Sequence, residues 1–320
     1  MRRFRYTREN QRVRDFYAQT PLLEAGDFIY PYFVVEGSGV REGIDLLPGV
    51  CRFSVDELID DLGRTVGAGI GKILLFGAVD DRHKDGTGSY AIRDDSIVPE
   101  AVRAIKDKYP ELCVITDICL CAYTDHGHCG IVIDGRVDND ISIAQLGKMA
   151  LAHARAGADF VAPSAMMDGQ VQAIYERLSA GGIGTKVIGY SAKYASGFYG
   201  PFRNAANSAP SFADRKTYQM DYRNAMQGLE EIEADLEEGA VMVMVKPAGA
   251  YLDVLSLAAA KFGRDRMIAY QVSGEYSTLK HGAQMGLYDE RAIFTEALTA
   301  IKRAGAKYII SYYARDFLGG

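Results

Sequence analysis

Eight short apolar runs, separated by stretches of helical length, restrict this sequence more than any other feature. They occupy residues 28–36, 72–79, 113–119, 160–166, 187–194, 242–248, 268–274 and 308–314, and each is of strand length. Amphipathic stretches at 55–68, 142–156, 169–178, 223–238 and 251–262 lie between them. Three helical stretches close on small residues, Ala68-Gly69, Ala156-Gly157-Ala158 and Ala304-Gly305-Ala306, which let the chain turn directly back into a strand. This alternation predicts an α/β fold: a TIM (β/α)8 barrel over residues 28–320, preceded by an extended N-terminal arm of residues 1–27. A doubly wound sheet is the structural alternative, but no strand is followed by a Gly-x-Gly-x-x-Gly turn into a helix.

Composition agrees with a single large domain. Of 320 residues, 48% are hydrophobic and 24% charged, which excludes a disordered chain. No apolar run approaches the ~18 residues of a membrane span, and the polar N-terminus has no apolar signal segment. The expectation is a cytoplasmic protein with no membrane partner. The formal charge of −6 is unevenly spread, because Arg2, Arg3, Arg5, Arg8, Arg12 and Arg14 face Glu9 alone in the first fourteen residues. A basic arm could bind nucleic acid, but that normally needs a broader basic face. The interleaved Phe4, Tyr6, Phe16 and Tyr17 suit packing against another subunit better.

A TIM barrel carries its chemistry at the C-terminal ends of its strands. The third run ends in Asp117-Ile-Cys119-Leu-Cys121, the fifth in Ser191-Ala-Lys193 and the sixth in Val245-Lys246-Pro247. The seventh ends in Gln271-Val-Ser273-Gly, and the eighth in Ser311-Tyr312-Tyr313. Lys193 and Lys246 matter most. A lysine closing an apolar strand is costly unless it is paired or neutral, and two facing one pocket lower each other's proton affinity. The product is a free amine, which is what Schiff-base chemistry requires.

Five cysteines stand at 51, 113, 119, 121 and 129, an odd number that does not resemble a secreted disulfide frame. In an extended segment Asp117, Cys119 and Cys121 share a face, and Cys129 returns after a turn containing Gly127 and Gly130. Three thiolates leave one position of a tetrahedral Zn2+ open, the mark of a catalytic site. His126 and His128 could each replace a cysteine as ligand. The competing reading is three buried cysteines serving as small hydrophobes. Residues 200–215 form a long Gly/Pro/Asn/Ser-rich loop of the kind used as a lid. Its Arg203 and Arg215 could clamp a carboxylate. The run Glu230, Glu231, Glu233, Glu237 and Glu238 reads first as a solvated helix face.

The segments Asp117-Ile-Cys-Leu-Cys-Ala-Tyr-Thr-Asp-His-Gly-His-Cys129, Tyr190-Ser-Ala-Lys193-Tyr-Ala-Ser, Met244-Val-Lys246-Pro-Ala-Gly-Ala-Tyr-Leu-Asp253 and Tyr270-Gln-Val-Ser-Gly-Glu-Tyr276 together resemble the porphobilinogen synthase (5-aminolevulinate dehydratase) family, of the zinc-cysteine type. The likeness runs from Arg2-Arg-Phe-Arg5 to Ser311-Tyr-Tyr313. It implies condensation of two 5-aminolevulinates to porphobilinogen with loss of two waters, in tetrapyrrole and haem synthesis. It also implies assembly as a homo-octamer. By position, Lys246 would form a Schiff base with one substrate, whose carboxylate would meet Ser273 and Tyr312. Lys193 would hold the second substrate, with Arg203, Arg215 and Gln219 around its carboxylate. Zn2+ would sit on Cys119, Cys121 and Cys129, with Asp117 as a proton-transfer or ordering group. Glu231 would be a ligand for an allosteric Mg2+. Ala122 and Asp125 stand where the family's zinc motif usually has proline and serine, and neither change removes a ligand.

Without the resemblance, the residues point to a barrel lyase or aldolase with Schiff-base lysines and zinc. Two rivals remain at this point: a class I aldolase with one catalytic lysine, and a non-catalytic zinc scaffold whose basic arm recruits a partner.

Overall fold

A computed structural model describes residues 1–319. All eight predicted strands form: β1 Phe28–Val34, β2 Lys72–Gly77, β3 Cys113–Ile118, β4 Phe160–Pro163, β5 Lys186–Lys193, β6 Met242–Lys246, β7 Met267–Tyr270 and β8 Tyr308–Ile310. Each pairs in parallel with the next, and β8 returns to β1 through Phe28 opposite Ile309 and Ile29 opposite Ile310, closing the barrel. Helices cover its outside, so β1 is buried along its whole length, as a strand covered on both faces must be. Except for β5, which keeps its length but begins and ends one residue earlier, the observed strands are shorter than the apolar runs. The seventh run, 268–274, stays extended only to Tyr270, and its Ser273 opens the helix Ser273–Gln284.

The surrounding helices start and stop where local chemistry tells them to. Asp138, Asn224 and Asp289 each accept a hydrogen bond from the backbone N–H three residues on, satisfying a donor that the first helical turn leaves free. Gly69, Gly157 and Gly305 take positive φ just past helices ending at Gly67, Arg155 and Ala304, as their small-residue endings predict. Among the described residues, no helix is long and apolar enough to cross a membrane.

Three additions complete the barrel. Residues 1–27 carry a short helix, Gln11–Tyr17, and leave Phe4, Tyr6, Phe16, Tyr17 and Leu22 exposed. A short antiparallel pair, Arg41–Gly43 with Cys51–Phe53, extends the sheet beside β1 and sets Arg52 opposite Phe33. A hairpin, Val132–Ile133 with Arg136–Val137, turns through Asp134 and Gly135, both at positive φ.

Candidate active site

Lys193 and Lys246 are partners across adjacent parallel strands, and each is only 5% exposed. A bulge helps to bring them together. Between Val243 and Val245 on β6 there are two steps, while the matching stretch of β5, Gly189 to Ala192, takes three. The extra residue in β5 breaks its alternation, so Tyr190 and Lys193 serve the same side despite their odd separation. Ser191 lies opposite, toward Asp235 on the helix Ala225–Glu237.

Aromatic rings line the lysine pocket. The Lys246 Nζ lies 4.2 Å from the ring centre of Tyr270, 4.9 Å from Tyr190, 5.3 Å from Phe202 and 5.6 Å from Tyr199. Burial, and then the neighbouring Lys193 charge, bring the Lys246 amine down to about 7, against an opposing pull from Asp117. Lys193 donates to the carbonyl of Ser164. The carboxyl of Asp117 is pushed up to about 6 by burial, with Lys246 and Lys193 drawing it back down. A carboxyl at that value can hold or release a proton near neutrality.

The predicted carboxylate-binding residues divide between the two lysines. On the Lys246 side, the Tyr312 hydroxyl lies 3.1 Å from that of Tyr270, and Ser273 Oγ accepts the Phe202 N–H at 3.0 Å. On the Lys193 side, Met220 N–H donates to the Lys193 carbonyl at 3.2 Å, which brings Gln219 beside the end of β5. Arg215 is buried and donates to the carbonyls of Gly127 and Ser208. Neither Arg203 nor Arg215 pairs with a carboxylate of this chain among the described residues. Arg203 Nε, Arg215 Nε, Gln219 Nε2, Asp117 Oδ1 and the Tyr190 hydroxyl are all buried without a partner. Buried polar atoms are rarely left this way, and five converging here suit a polar, anionic ligand.

The loop predicted over 200–215 is not wholly irregular. Its first part is a short helix, Gly200–Ala205, with Pro201 in the first turn, where a missing N–H costs nothing. This helix sets Phe202 against Phe33 and Phe76, with ring centres 5.7 and 5.0 Å apart, and over Lys246.

Cys119, Cys121 and Cys129 have their sulfurs within 4.8 Å of one another, and all three are buried. The reason differs from the one expected. The strand ends at Ile118 and Cys121 lies in the helical turn Leu120–Ala122, so that turn, and not a shared extended face, brings its sulfur to 3.3 Å from that of Cys119. Gly127 makes the return possible: its φ is +69°, and a Cβ there would stand 2.2 Å from the Ala209 carbonyl oxygen. Hydrogen bonds from Cys119 and Cys121, helped by Arg215, hold the Cys129 thiol well below its usual range. Three converging thiols with one already favoured as thiolate fit a soft divalent metal such as Zn2+. The histidines are engaged elsewhere. His128 faces the Tyr218 hydroxyl and the Phe212 carbonyl at 3.1 Å each, and His126 faces the Gly86 carbonyl. Among the described residues, the cysteines alone form a metal-competent group of three or more.

The glutamate run divides. Glu230, Glu233 and Glu237 are exposed, whereas Glu231 is half-buried in a cavity of about 210 Å³ shared with Asp168, Asp235 and Glu238. Burial raises the Glu231 carboxyl, and Asp168, Glu238 and Glu230 add to the rise against a hydrogen bond from Gln227.

The sequence reading did not single out Tyr190, Tyr199, Tyr270 or Phe202 as site residues. A buried tyrosine in a strand looks like core, and the bulge that turns Tyr190 toward Lys193 has no signature in local hydropathy.

A closed (β/α)8 barrel with two amines, a carboxyl and three thiols gathered at the C-terminal ends of its strands defines a TIM-barrel enzyme. The family described as delta-aminolevulinic acid dehydratase matches residues 1–319. The delta-aminolevulinic acid dehydratase of Bacillus subtilis is 45% identical over 315 residues, covering 98% of this chain and 96% of that one. Its counterpart from Halalkalibacterium halodurans is 46% identical over 316 residues, covering 98% and 95%. The crystal structure of delta-aminolevulinic acid dehydratase (porphobilinogen synthase) from Toxoplasma gondii, in complex with the reaction product porphobilinogen, superposes with a TM-score of 0.95 at 39% identity. That match covers 100% of this chain and 91% of the other. The chain belongs to the delta-aminolevulinic acid dehydratase family.

Proposed function

We propose that this protein is a porphobilinogen synthase, a lyase that condenses two 5-aminolevulinates to porphobilinogen with loss of two waters, in haem and tetrapyrrole biosynthesis. The single observation that carries the reading is the pair of buried lysines side by side on β5 and β6, one of them already an amine near neutrality. Family membership supplies the substrate.

The free amine of Lys246 attacks the ketone of one substrate, and water leaves as the Schiff base forms. The aromatic rings exclude bulk water from that bond, and Ser273 and Tyr312 orient the substrate through its carboxylate. Lys193 engages the second substrate, whose carboxylate meets Arg203, Arg215 and Gln219. Asp117 lies between the two amines electrostatically, drawn by both, and moves the protons that these condensations release and consume. Cys119, Cys121 and Cys129 would hold Zn2+, which when bound supplies Lewis acidity beside the second substrate.

Glu231 would hold an allosteric Mg2+, supported by the oxygen-rich cavity around it. Residues 1–27 form an arm that packs on another subunit of a homo-octamer, and the exposed Phe4, Tyr6, Phe16, Tyr17 and Leu22 support that reading. Residues 28–320 then form the catalytic barrel, and the enzyme works in the cytoplasm.

The test is turnover of 5-aminolevulinate with and without a zinc chelator, followed by borohydride trapping and peptide mapping. The reading expects porphobilinogen, loss of activity on chelation with recovery on adding zinc, and modification of both Lys193 and Lys246. Trapping at one lysine alone under every substrate order favours a single-lysine aldolase.

A further inference from the structure

The segment that carries Phe202 and Arg203 is held by cationic side chains, two of them from outside it. Four carbonyl oxygens in and just after the helix Gly200–Ala205 accept from cationic side chains. Arg52 donates to Asn204 O at 2.8 Å through Nη2 and to Ala205 O at 2.7 Å through Nε. Lys84 donates to Asn207 O at 2.9 Å, and Arg215 donates to Ser208 O. Asn207 adds a bond from its amide to Asp81 at 3.1 Å.

Two of these anchors come from far away in sequence. Arg52 lies on the short strand beside β1, and Lys84 follows β2, on the opposite side of the chain's order from residue 200. Both have their charged ends inside: the Arg52 side chain is 15% exposed and that of Lys84 is 8%. Each also touches a solvent-facing carboxylate, Arg52 at Glu42 and Lys84 at Asp81, which balances its charge without competing for the carbonyls. A helix of six residues has few internal hydrogen bonds, so its last carbonyls and its orientation depend on outside donors. At its other end the helix is fixed by the Phe202 N–H to Ser273 Oγ bond.

We infer that Arg52 and Lys84 are positioning residues, which anchor residues 200–215 over the barrel mouth so that Phe202 covers Lys246 and Arg203 faces the second substrate. The inference rests on the reading of Arg203 as a carboxylate-binding group. Neither anchor touches the reacting atoms. Their effect is therefore on binding: loosening the segment weakens both subsites, while Tyr190, Tyr199 and Tyr270, which lie outside it, still enclose the Lys246 amine.

The test uses the full-length protein with Arg52→Gln, Arg52→Lys and Lys84→Met. Steady-state kinetics with 5-aminolevulinate, melting temperature and the rate of tryptic cleavage within residues 203–216 are measured on each. The expected result is a KM raised about tenfold for Arg52→Gln and Lys84→Met, the loss that removing one well-placed charged donor typically brings. The kcat stays within about twofold, melting is unchanged and cleavage is faster than in the wild type. Arg52→Lys, which keeps the charge but offers one nitrogen in place of the fork that spans both carbonyls, falls between. Unchanged KM and cleavage overturn the inference. So does a lower melting temperature with normal KM, which would mark both residues as merely structural. If the wild type fails to turn over 5-aminolevulinate, the substrate reading fails instead. The cleavage comparison then decides the anchors alone: faster cutting supports them, and wild-type cutting overturns them.

Discussion

Lys246→Met should make the protein inactive and more stable. In the unfolded chain this lysine titrates at 10.5, whereas in the fold its amine lies at about 7 because burial and Lys193 oppose its charge. At about 1.4 kcal/mol per unit, holding the lysine in place costs the fold about 4 kcal/mol at pH 7.5. Methionine fills a similar volume against Tyr190, Tyr199, Phe202 and Tyr270 without that cost. One loss works the other way, since Asp117 keeps only Lys193 as a cationic neighbour and its carboxyl rises further. The net expectation is a gain of about 2 kcal/mol, read as a melting temperature a few degrees higher. The sign with pH is fixed. Between about 7 and 10.5 the unfolded state binds the proton that the folded state has released, so wild-type stability climbs with pH through that window. The variant lacks this term, and its advantage must therefore shrink from pH 7.5 toward pH 10. Thermal melts of both proteins at matched metal content, taken across that range, provide the assay. A variant less stable at pH 7.5, or an advantage that does not shrink with pH, would refute the argument that burial makes this amine reactive.

Three other outcomes are expected. Arg203→Gln removes a guanidinium that has no carboxylate partner among the described residues, so it should raise the KM for 5-aminolevulinate about tenfold with melting unchanged; an unaltered KM would remove Arg203 from the binding site. Cys119→Ala should lose most of the bound zinc by elemental analysis and most of the activity, whereas full zinc content would show that two thiolates suffice. Deleting residues 1–14 should reduce the size of the assembly measured by light scattering, and an unchanged particle would dismiss the arm as a subunit contact.

The barrel could be read in advance because its evidence is repetitive. Eight apolar runs, separated by stretches of helical length, leave little freedom in how strands and helices alternate. The lysines were legible because a lysine at the end of an apolar strand violates the local pattern, and two such violations fall in equivalent places. The surroundings of the amines were not legible. Tyr190 obeys the pattern of a core residue, and only the pairing of β5 with β6 reveals that it faces the same way as Lys193. The cysteines were identified with an imperfect reason, since Cys121 sits in a helical turn that an apolar run cannot announce. The helix Gly200–Ala205 was hidden by its glycine, proline and asparagine, which suggest a loop. Its partners Arg52 and Lys84 lie too far away in sequence for any local window to connect them.

The bulge in β5 also limits how this chemistry can be moved. A designer who copied Tyr190-Ser-Ala-Lys193 onto a regular strand of another barrel would preserve the spelling and lose the arrangement. With strict alternation, an amine directed inward sends the tyrosine three positions earlier to the outside, among the helices. The transplanted amine would lack the ring that stands 5.8 Å from it here and would open to water on that side. The portable unit is therefore a pair of strands in their irregular register, with β6 supplied alongside β5.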